Sequence, residues 1–111
     1  MHNLVYLIGR LTKQVEIVKD EKGKDISLIN VAVQRSYKNE EGIYETDFVN
    51  VRLYNGIATT TAEYCRKGDL IGIRGRIETS YENNGQKNFV VADKITFLSA
   101  QKSKDNDVEI N

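Results

Sequence analysis

The sequence predicts a small all-β domain, a closed five-stranded Greek-key barrel with one short helix between its third and fourth strands. Three observations carry that prediction. Apolar and polar residues alternate over several stretches separated by turn residues rich in Gly and Asn. The segment 57–67 alone switches to a helical period. Glycines interrupt the first and fourth strands, where a long strand must curl to serve both halves of a barrel.

The first strand is Asn3 to Leu11, rich in Val, Leu, Ile and Tyr, with Gly9 marking a bend and Val15, Ile17 and Val18 expected to continue it after a kink. Glu21 to Lys24 is a turn in which Gly23 supplies the positive φ. The second strand alternates Ile29, Val31 and Val33 with Asn30, Ala32 and Gln34 and runs toward Tyr37. Asn39 to Gly42 closes the next hairpin. In the third strand, Val49, Val51 and Leu53 share one face and Phe48, Asn50, Arg52 and Tyr54 the other. The helix follows, with Ile57, Ala58, Thr61, Ala62, Tyr64 and Cys65 as its apolar stripe. Arg66 and Lys67 are expected in its last turn, and Gly68 as its stop. Leu70 to Ser80 forms the fourth strand, with Ile71, Ile73 and Ile77 on the core face and Arg74, Arg76 and Glu78 opposite. Asn83-Asn84-Gly85 signals a hairpin, and Phe89 to Leu98 is the fifth strand. Residues 1–100 thus read as one domain and 101–111 as a short disordered tail.

Composition narrows the function classes. The 111 residues include one Cys, one His and no Pro, so neither an internal disulfide nor a Cys/His zinc site can form. No apolar run approaches the ~18 residues of a membrane helix, no signal-peptide pattern opens the chain, and a cytoplasmic protein is expected. Sixteen basic groups balance 16 acidic ones, but many acids fall in turns, so one face of the sheet can still be basic. Catalysis finds little support. Cys65 reads as a small core thiol, His2 lies beside the initiator Met, and Gly72 and Gly75 match no phosphate loop. The chain is expected to be neither an enzyme nor dependent on a cofactor or metal.

The positive signal is aromatic and basic residues interleaved on a strand. Phe48, Arg52 and Tyr54 lie opposite the apolar face, where flat rings can stack on bases and a guanidinium can hold a phosphate or a base. The alternative is that the rings pair with neighbouring strands or cover a subunit contact. Arg74 and Arg76 offer the same two readings, phosphate contact or solvated face. Tyr6 and Tyr64 read as core or interface.

Five blocks then resemble one family. Asn3-Leu-Val-Tyr-Leu-Ile-Gly-Arg-Leu11 is similar to the opening strand of bacterial and phage single-stranded DNA-binding proteins. Gln34-Arg-Ser-Tyr-Lys38, Thr46-Asp-Phe-Val-Asn-Val-Arg-Leu-Tyr54, Ala62-Glu-Tyr-Cys-Arg-Lys-Gly68 and Gly75-Arg-Ile77 follow in that family's order, across residues 3–99. The resemblance implies an oligonucleotide-binding (OB) fold, a homo-oligomer that is usually a tetramer, and coating of single-stranded DNA in replication, recombination and repair. It implies stacking roles for Tyr37, Phe48, Tyr54 and Tyr81, and the expected DNA-binding set adds Lys38, Arg52, Arg74, Arg76 and Lys87.

Two of these positions raise questions of orientation. Regular alternation puts Tyr37 with the apolar Ile29, Val31 and Val33, whereas the resemblance turns it outward, as a bulge or twist at the strand's end would allow. The spacing from Thr79 to Tyr81 is one residue shorter than the family's, and one residue moves a side chain to the opposite face. Tyr81 is therefore either turned inward or restored outward by a lost bulge. The chain also lacks Trp, carries Val49 where some members have a His tied to tetramer stability, and retains in 101–111 only a faint echo of an acidic, partner-recruiting tip. Recruitment of replication and repair proteins is accordingly expected to be reduced or different. Alternatives on the same barrel are a primosome-type accessory protein, dimeric and acting through protein contacts, and a barrel that prefers RNA.

Overall fold

The computed structural model describes residues 1–83 and 85–99; the expected tail at 101–111 and Asn84 of the last hairpin lie outside them. In chain order the elements are β1 (Val5–Leu11), β2 (Val18–Lys19), β3 (Asp25–Lys38), β4 (Tyr44–Tyr54), α1 (Asn55–Tyr64), β5 (Leu70–Glu82) and β6 (Gly85–Phe97). The five long strands run β1-β5-β6-β4-β3 around the barrel, and β1 returns to pair with β3 at Arg10↔Ala32 and Leu11↔Val31. That last ladder closes the sheet and removes its free edges. All pairings are antiparallel except β4–β6, which is parallel at Val51↔Val90 and Arg52↔Val91.

Alternation decides which side chains fill the barrel. Ile29 and Val31 of β3, Val51 and Leu53 of β4, Ile71 and Ile73 of β5, and Val90 and Ala92 of β6 are all buried. Each large aliphatic side chain taken out of water there contributes about 1.5–3 kcal/mol. Helix α1 packs against β3, β4 and β6 and adds Ala58 and Thr61 to the core. The Thr61 hydroxyl is satisfied inside the helix, donating to the Ile57 carbonyl at 2.7 Å.

Two glycines permit the closure. A Cβ on Gly9 would stand 2.5 Å from the Ala32 carbonyl oxygen, where β1 passes from β5 to β3. One on Gly75 would fall on the backbone carbonyl of Val91. There the β5–β6 ladder steps from Arg74↔Lys94 to Gly75↔Ala92 and leaves Asp93 as an extra residue, a bulge that bends the pair.

Three sequence expectations are corrected. The first strand does not resume through Val15, Ile17 and Val18. It ends at Leu11: the Thr12 amide makes one more bond to the Asn30 carbonyl, and the chain then leaves the sheet. Val15 is buried from the loop that follows, and Val18 belongs to β2, a two-residue addition paired with Asp25 and Ile26. The helix covers Asn55–Tyr64 rather than 57–67. Its last bond is Cys65 N–H to the Thr61 carbonyl at 2.9 Å, after which Cys65 turns extended and drops its thiol into the core. Arg66, Lys67 and Gly68 form a separate turn in which the Asp69 carboxylate accepts from the Arg66 amide at 2.8 Å. Finally, Ile77 stands opposite Val90 on the core face, yet is 47% exposed, because the β1–β5 ladder stops at Val5↔Gly75 and no strand covers β5 on that side.

Candidate nucleic-acid interface

The outer face of β3, β4, β6 and β5 brings most of the expected residues together. Leu28 of β3, Arg52 of β4, Val91 of β6 and Arg76 of β5 stand in register as one row across the four strands. Phe48 lies on β4 opposite Ala32 and is 66% exposed, a large apolar ring held in solvent by its strand's parity. Tyr54, at the end of the same strand, is half-buried.

Both uncertain tyrosines face solvent. Tyr37 is 63% exposed. The β3–β4 ladder is irregular there: between the pairs Gln34↔Thr46 and Lys38↔Tyr44, β3 advances four residues and β4 two, so simple alternation no longer applies. Tyr81 is 80% exposed. It pairs with Gln86 in a hairpin that continues to Glu82↔Gly85, past the last buried residues of the barrel. Tyr37 and Tyr81 thus stand on two projecting hairpins, β3–β4 and β5–β6. The core-or-interface reading divides: Tyr6 is exposed on β1, while Tyr64 packs obliquely on Phe97 with ring centroids 5.9 Å apart.

The cations differ in what already holds them. Arg74 donates to Asp93 at 2.7 Å and stands in register with Tyr6 of β1, and Arg76 donates to Glu78 at 2.8 Å through its Nε. Both pairs are solvent-exposed, the class worth about 0–1 kcal/mol, so a phosphate can compete for either arginine. Lys38 places its ammonium 5.5 Å from the centre of the Tyr44 ring, a cation–π contact on the β3–β4 hairpin. Lys87 sits on β6 opposite Ser80 and lines a cleft with Arg52.

Arg35 is committed elsewhere. Its guanidinium takes both Asp47 carboxylate oxygens and reaches Glu45, which raises its own pKa and lowers that of Asp47. Cys65 is buried, and its thiol is pushed up to about 11 by desolvation and then by the Asp69 charge, leaving it protonated and unreactive near neutrality.

Three exposed or half-exposed residues on this surface were not singled out by sequence: Leu28, Tyr44 and Phe89. The Phe89 ring lies under Arg52, with the guanidinium carbon 3.6 Å from the ring centre. The parity that exposes Phe48 and Arg52 also exposes Leu28 once its pairing to Arg52 is known. Phe89 had no comparable signal, because its partner is on a strand paired to β6 in parallel and remote in sequence.

The Single-strand binding protein family matches residues 2–98 of the chain. A single-stranded DNA-binding protein B of Bacillus subtilis (strain 168) is 43% identical over 103 residues, covering 88% of this chain and 91% of that protein. Single-stranded DNA-binding protein 1 of Staphylococcus aureus (strain MSSA476) is 36% identical over 115 residues, or 99% of this chain and 74% of that protein. Among solved structures, the wild-type single-stranded DNA binding protein from Thermus aquaticus matches with a TM-score of 0.74 and 28% identity over 87% of this chain, which spans 50% of that longer one. The barrel is thus the OB fold of those proteins, and the chain belongs to the single-strand binding protein family.

Proposed function

We propose that this chain binds single-stranded DNA without sequence preference, stacking bases on exposed rings and neutralising phosphates with Lys and Arg. Coating and protecting single strands in replication, recombination and repair follows from that binding, with no catalytic step. The observation that carries the reading is Phe48, a solvent-facing Phe in the middle of a four-strand surface that also bears Arg52 and Arg76. A ring exposed there costs hydrophobic free energy that a base can recover, and every base has a π-face. Tyr37, Lys38, Tyr54, Arg74, Tyr81 and Lys87 extend the path over the two hairpins and the neighbouring strands. A cytoplasmic or nucleoid setting suits that role.

The working unit we propose is a homo-oligomer, a tetramer by family resemblance. Supporting it, Leu4, Tyr6 and Ile8 alternate along one outer face at β1 and are all exposed. The hydroxyl end of Tyr6 reaches Gly72, where a Cβ would come 3.3 Å from the oxygen, so the tip of the side chain lies against β5. An apolar strip of this kind on a barrel's exterior suits burial against a second copy. The same strip suits the primosome-type reading, in which protein contacts dominate; light scattering separates them, four 12.6 kDa chains against two.

The test is an oligothymidine titration at several salt concentrations. Bound bases quench tyrosine fluorescence, and log affinity falls against log salt with a slope of about −0.7 per neutralised phosphate. A titration showing neither effect refutes the proposal. Competition between matched DNA and RNA oligomers decides the RNA alternative.

A further inference from the structure

We infer that Arg52 and Phe89 form a base-binding position of their own: the Phe89 ring holds the Arg52 guanidinium flat, a nucleobase stacks on the guanidinium's other face, and Asn50 donates to that base. The inference rests on single-stranded DNA being the ligand. It assigns Arg52 a stacking role in place of a phosphate contact, and it brings in Phe89 as the residue that positions it.

Three observations converge. The guanidinium carbon lies 3.6 Å from the Phe89 ring centre, which is direct face contact. Arg35, Arg74 and Arg76 are each tied to carboxylates, whereas Arg52 makes no ion pair among the described residues. A guanidinium resting on a ring and lacking a carboxylate partner presents a planar, weakly hydrated cation, the surface on which unstacked bases settle. The pair also borders a cleft of about 400 Å³ between β3, β4 and β6, which Leu28 lines from the far side.

The cleft floor supplies polar groups. The Thr12 hydroxyl donates to Asn30 Oδ1 at 2.9 Å, and Asn30 Nδ2 donates to Asn50 Oδ1 at 3.0 Å. Asn50 Nδ2 makes no hydrogen bond among the described residues, so its N–H groups can donate to the carbonyl and ring-nitrogen acceptors of a base, while its Oδ1 keeps a second lone pair. The Ser80 hydroxyl lines the same cleft and has no partner among the described residues. Apolar wall, stacking plane and donors together describe a seat for one base.

The test compares the wild-type chain with Arg52→Lys, Phe89→Leu, their double variant and, as a reference, Phe48→Leu, all titrated with oligothymidine over a salt series. Lys keeps the charge and loses the plane; Leu keeps the burial and loses the ring. Arg52→Lys should weaken binding about fivefold or more, the low end for one lost stack in proteins of this class, with the salt slope unchanged. Phe89→Leu should weaken it by a similar factor, and the double variant should be no weaker than Arg52→Lys within about twofold, because both remove one seat. Wild-type affinity in Arg52→Lys, or single effects that multiply in the double, overturns the inference. Arg52 is on the outer face, so Arg52→Lys stays decisive even if Phe89→Leu folds poorly. A wild-type chain that does not bind sinks the proposed function itself. Binding that Phe48→Leu weakens, but Arg52→Lys and Phe89→Leu do not, removes this position only.

Discussion

Arg35 grips Asp47 with two nearly equal bonds, Nε to Oδ2 at 3.0 Å and Nη2 to Oδ1 at 2.9 Å, across the base of the β3–β4 hairpin. A third bond, Nη1 to Glu45 at 2.6 Å, brings a second carboxylate onto the same guanidinium. A fork-to-carboxylate pair is geometrically selective. Here it spans the two strands just below the irregularity that turns Tyr37 outward. Arg35 therefore braces the hairpin carrying Tyr37, Lys38 and Tyr44, and two carboxylates offset its charge before DNA arrives.

Asp47→Asn should accordingly weaken oligothymidine binding, although it removes a negative charge, and Arg35→Gln should weaken it with the salt slope unchanged. A model of simple charge attraction predicts the opposite sign for Asp47→Asn, so a titration decides between them. The pair also sets a pH dependence. Asp47 is held below the ordinary aspartate range by Arg35, so its contribution is fully present above the unfolded value and is lost as pH falls through the lower folded one. Thermal melts from neutral to acid pH should show the wild type losing more stability than Asp47→Asn.

Phe48→Ala isolates stacking from folding. The ring is exposed and opposite Ala32, so its removal leaves no cavity in the core. Affinity should fall by about 1–3 kcal/mol, the range known for one base in proteins of this class, while the melting temperature stays within a degree or two. An unchanged affinity measured by fluorescence titration returns Phe48 to the role of a strand-pairing residue.

How far sequence reaches is visible in single residues. Val51 and Leu53 inside and Phe48 and Arg52 outside follow from parity alone, because β4 is regular from Phe48 onward and paired on both sides. Gly9 and Gly75 were legible as bends because a glycine inside a strand has few other uses. Tyr37 and Ile77 were not legible from alternation, for two different reasons. At Tyr37 the register shifts; at Ile77 parity holds but the neighbouring β1 has ended. Periodicity describes a strand and says nothing of where its neighbours stop. The Arg52–Phe89 contact lies further out of reach, since it requires knowing that β4 and β6 run parallel and side by side.

The glycines separate by what an added methyl would meet. Gly9→Ala drives a Cβ against the Ala32 carbonyl and a Val31 methyl, and the carbonyl belongs to the ladder that closes the barrel. It should cost about 1–3 kcal/mol. At Gly72 the nearest atom is the Tyr6 hydroxyl at 3.3 Å, the far end of a flexible, exposed side chain. Gly72→Ala should be tolerated to within about 0.5 kcal/mol in the monomer. Equal losses for the two in urea melts would mean that β1 does not depend on close approach at Gly9.

Tyr6→Lys tests the exposed strip at β1. An ammonium placed between Leu4 and Ile8 meets the like charge of the in-register Arg74, and a buried charge without a partner is strongly disfavoured if a second copy covers it. Light scattering should show the mass falling from a multiple of the 12.6 kDa chain toward a smaller assembly, with circular dichroism unchanged. A mass identical to the wild type's places the subunit contact elsewhere.

Cys65 gives the clearest alkaline prediction. Its thiol is buried where the chain leaves α1, and desolvation followed by the Asp69 charge raises its pKa from 9.0 to about 11. Both causes disfavour the thiolate, so the folded state keeps a proton that the unfolded chain releases. Stability is then independent of this group below pH 9.0, declines between 9.0 and about 11, and declines no further from this group above that. Urea midpoints at pH 8 and pH 10.5 should differ more for the wild type than for Cys65→Ala. At pH 8 a disulfide reagent should label the native protein only as fast as it opens, and label the urea-unfolded chain at once. Rapid labelling of the native protein would mean that the thiol reaches solvent, and the alkaline decline should then vanish with it.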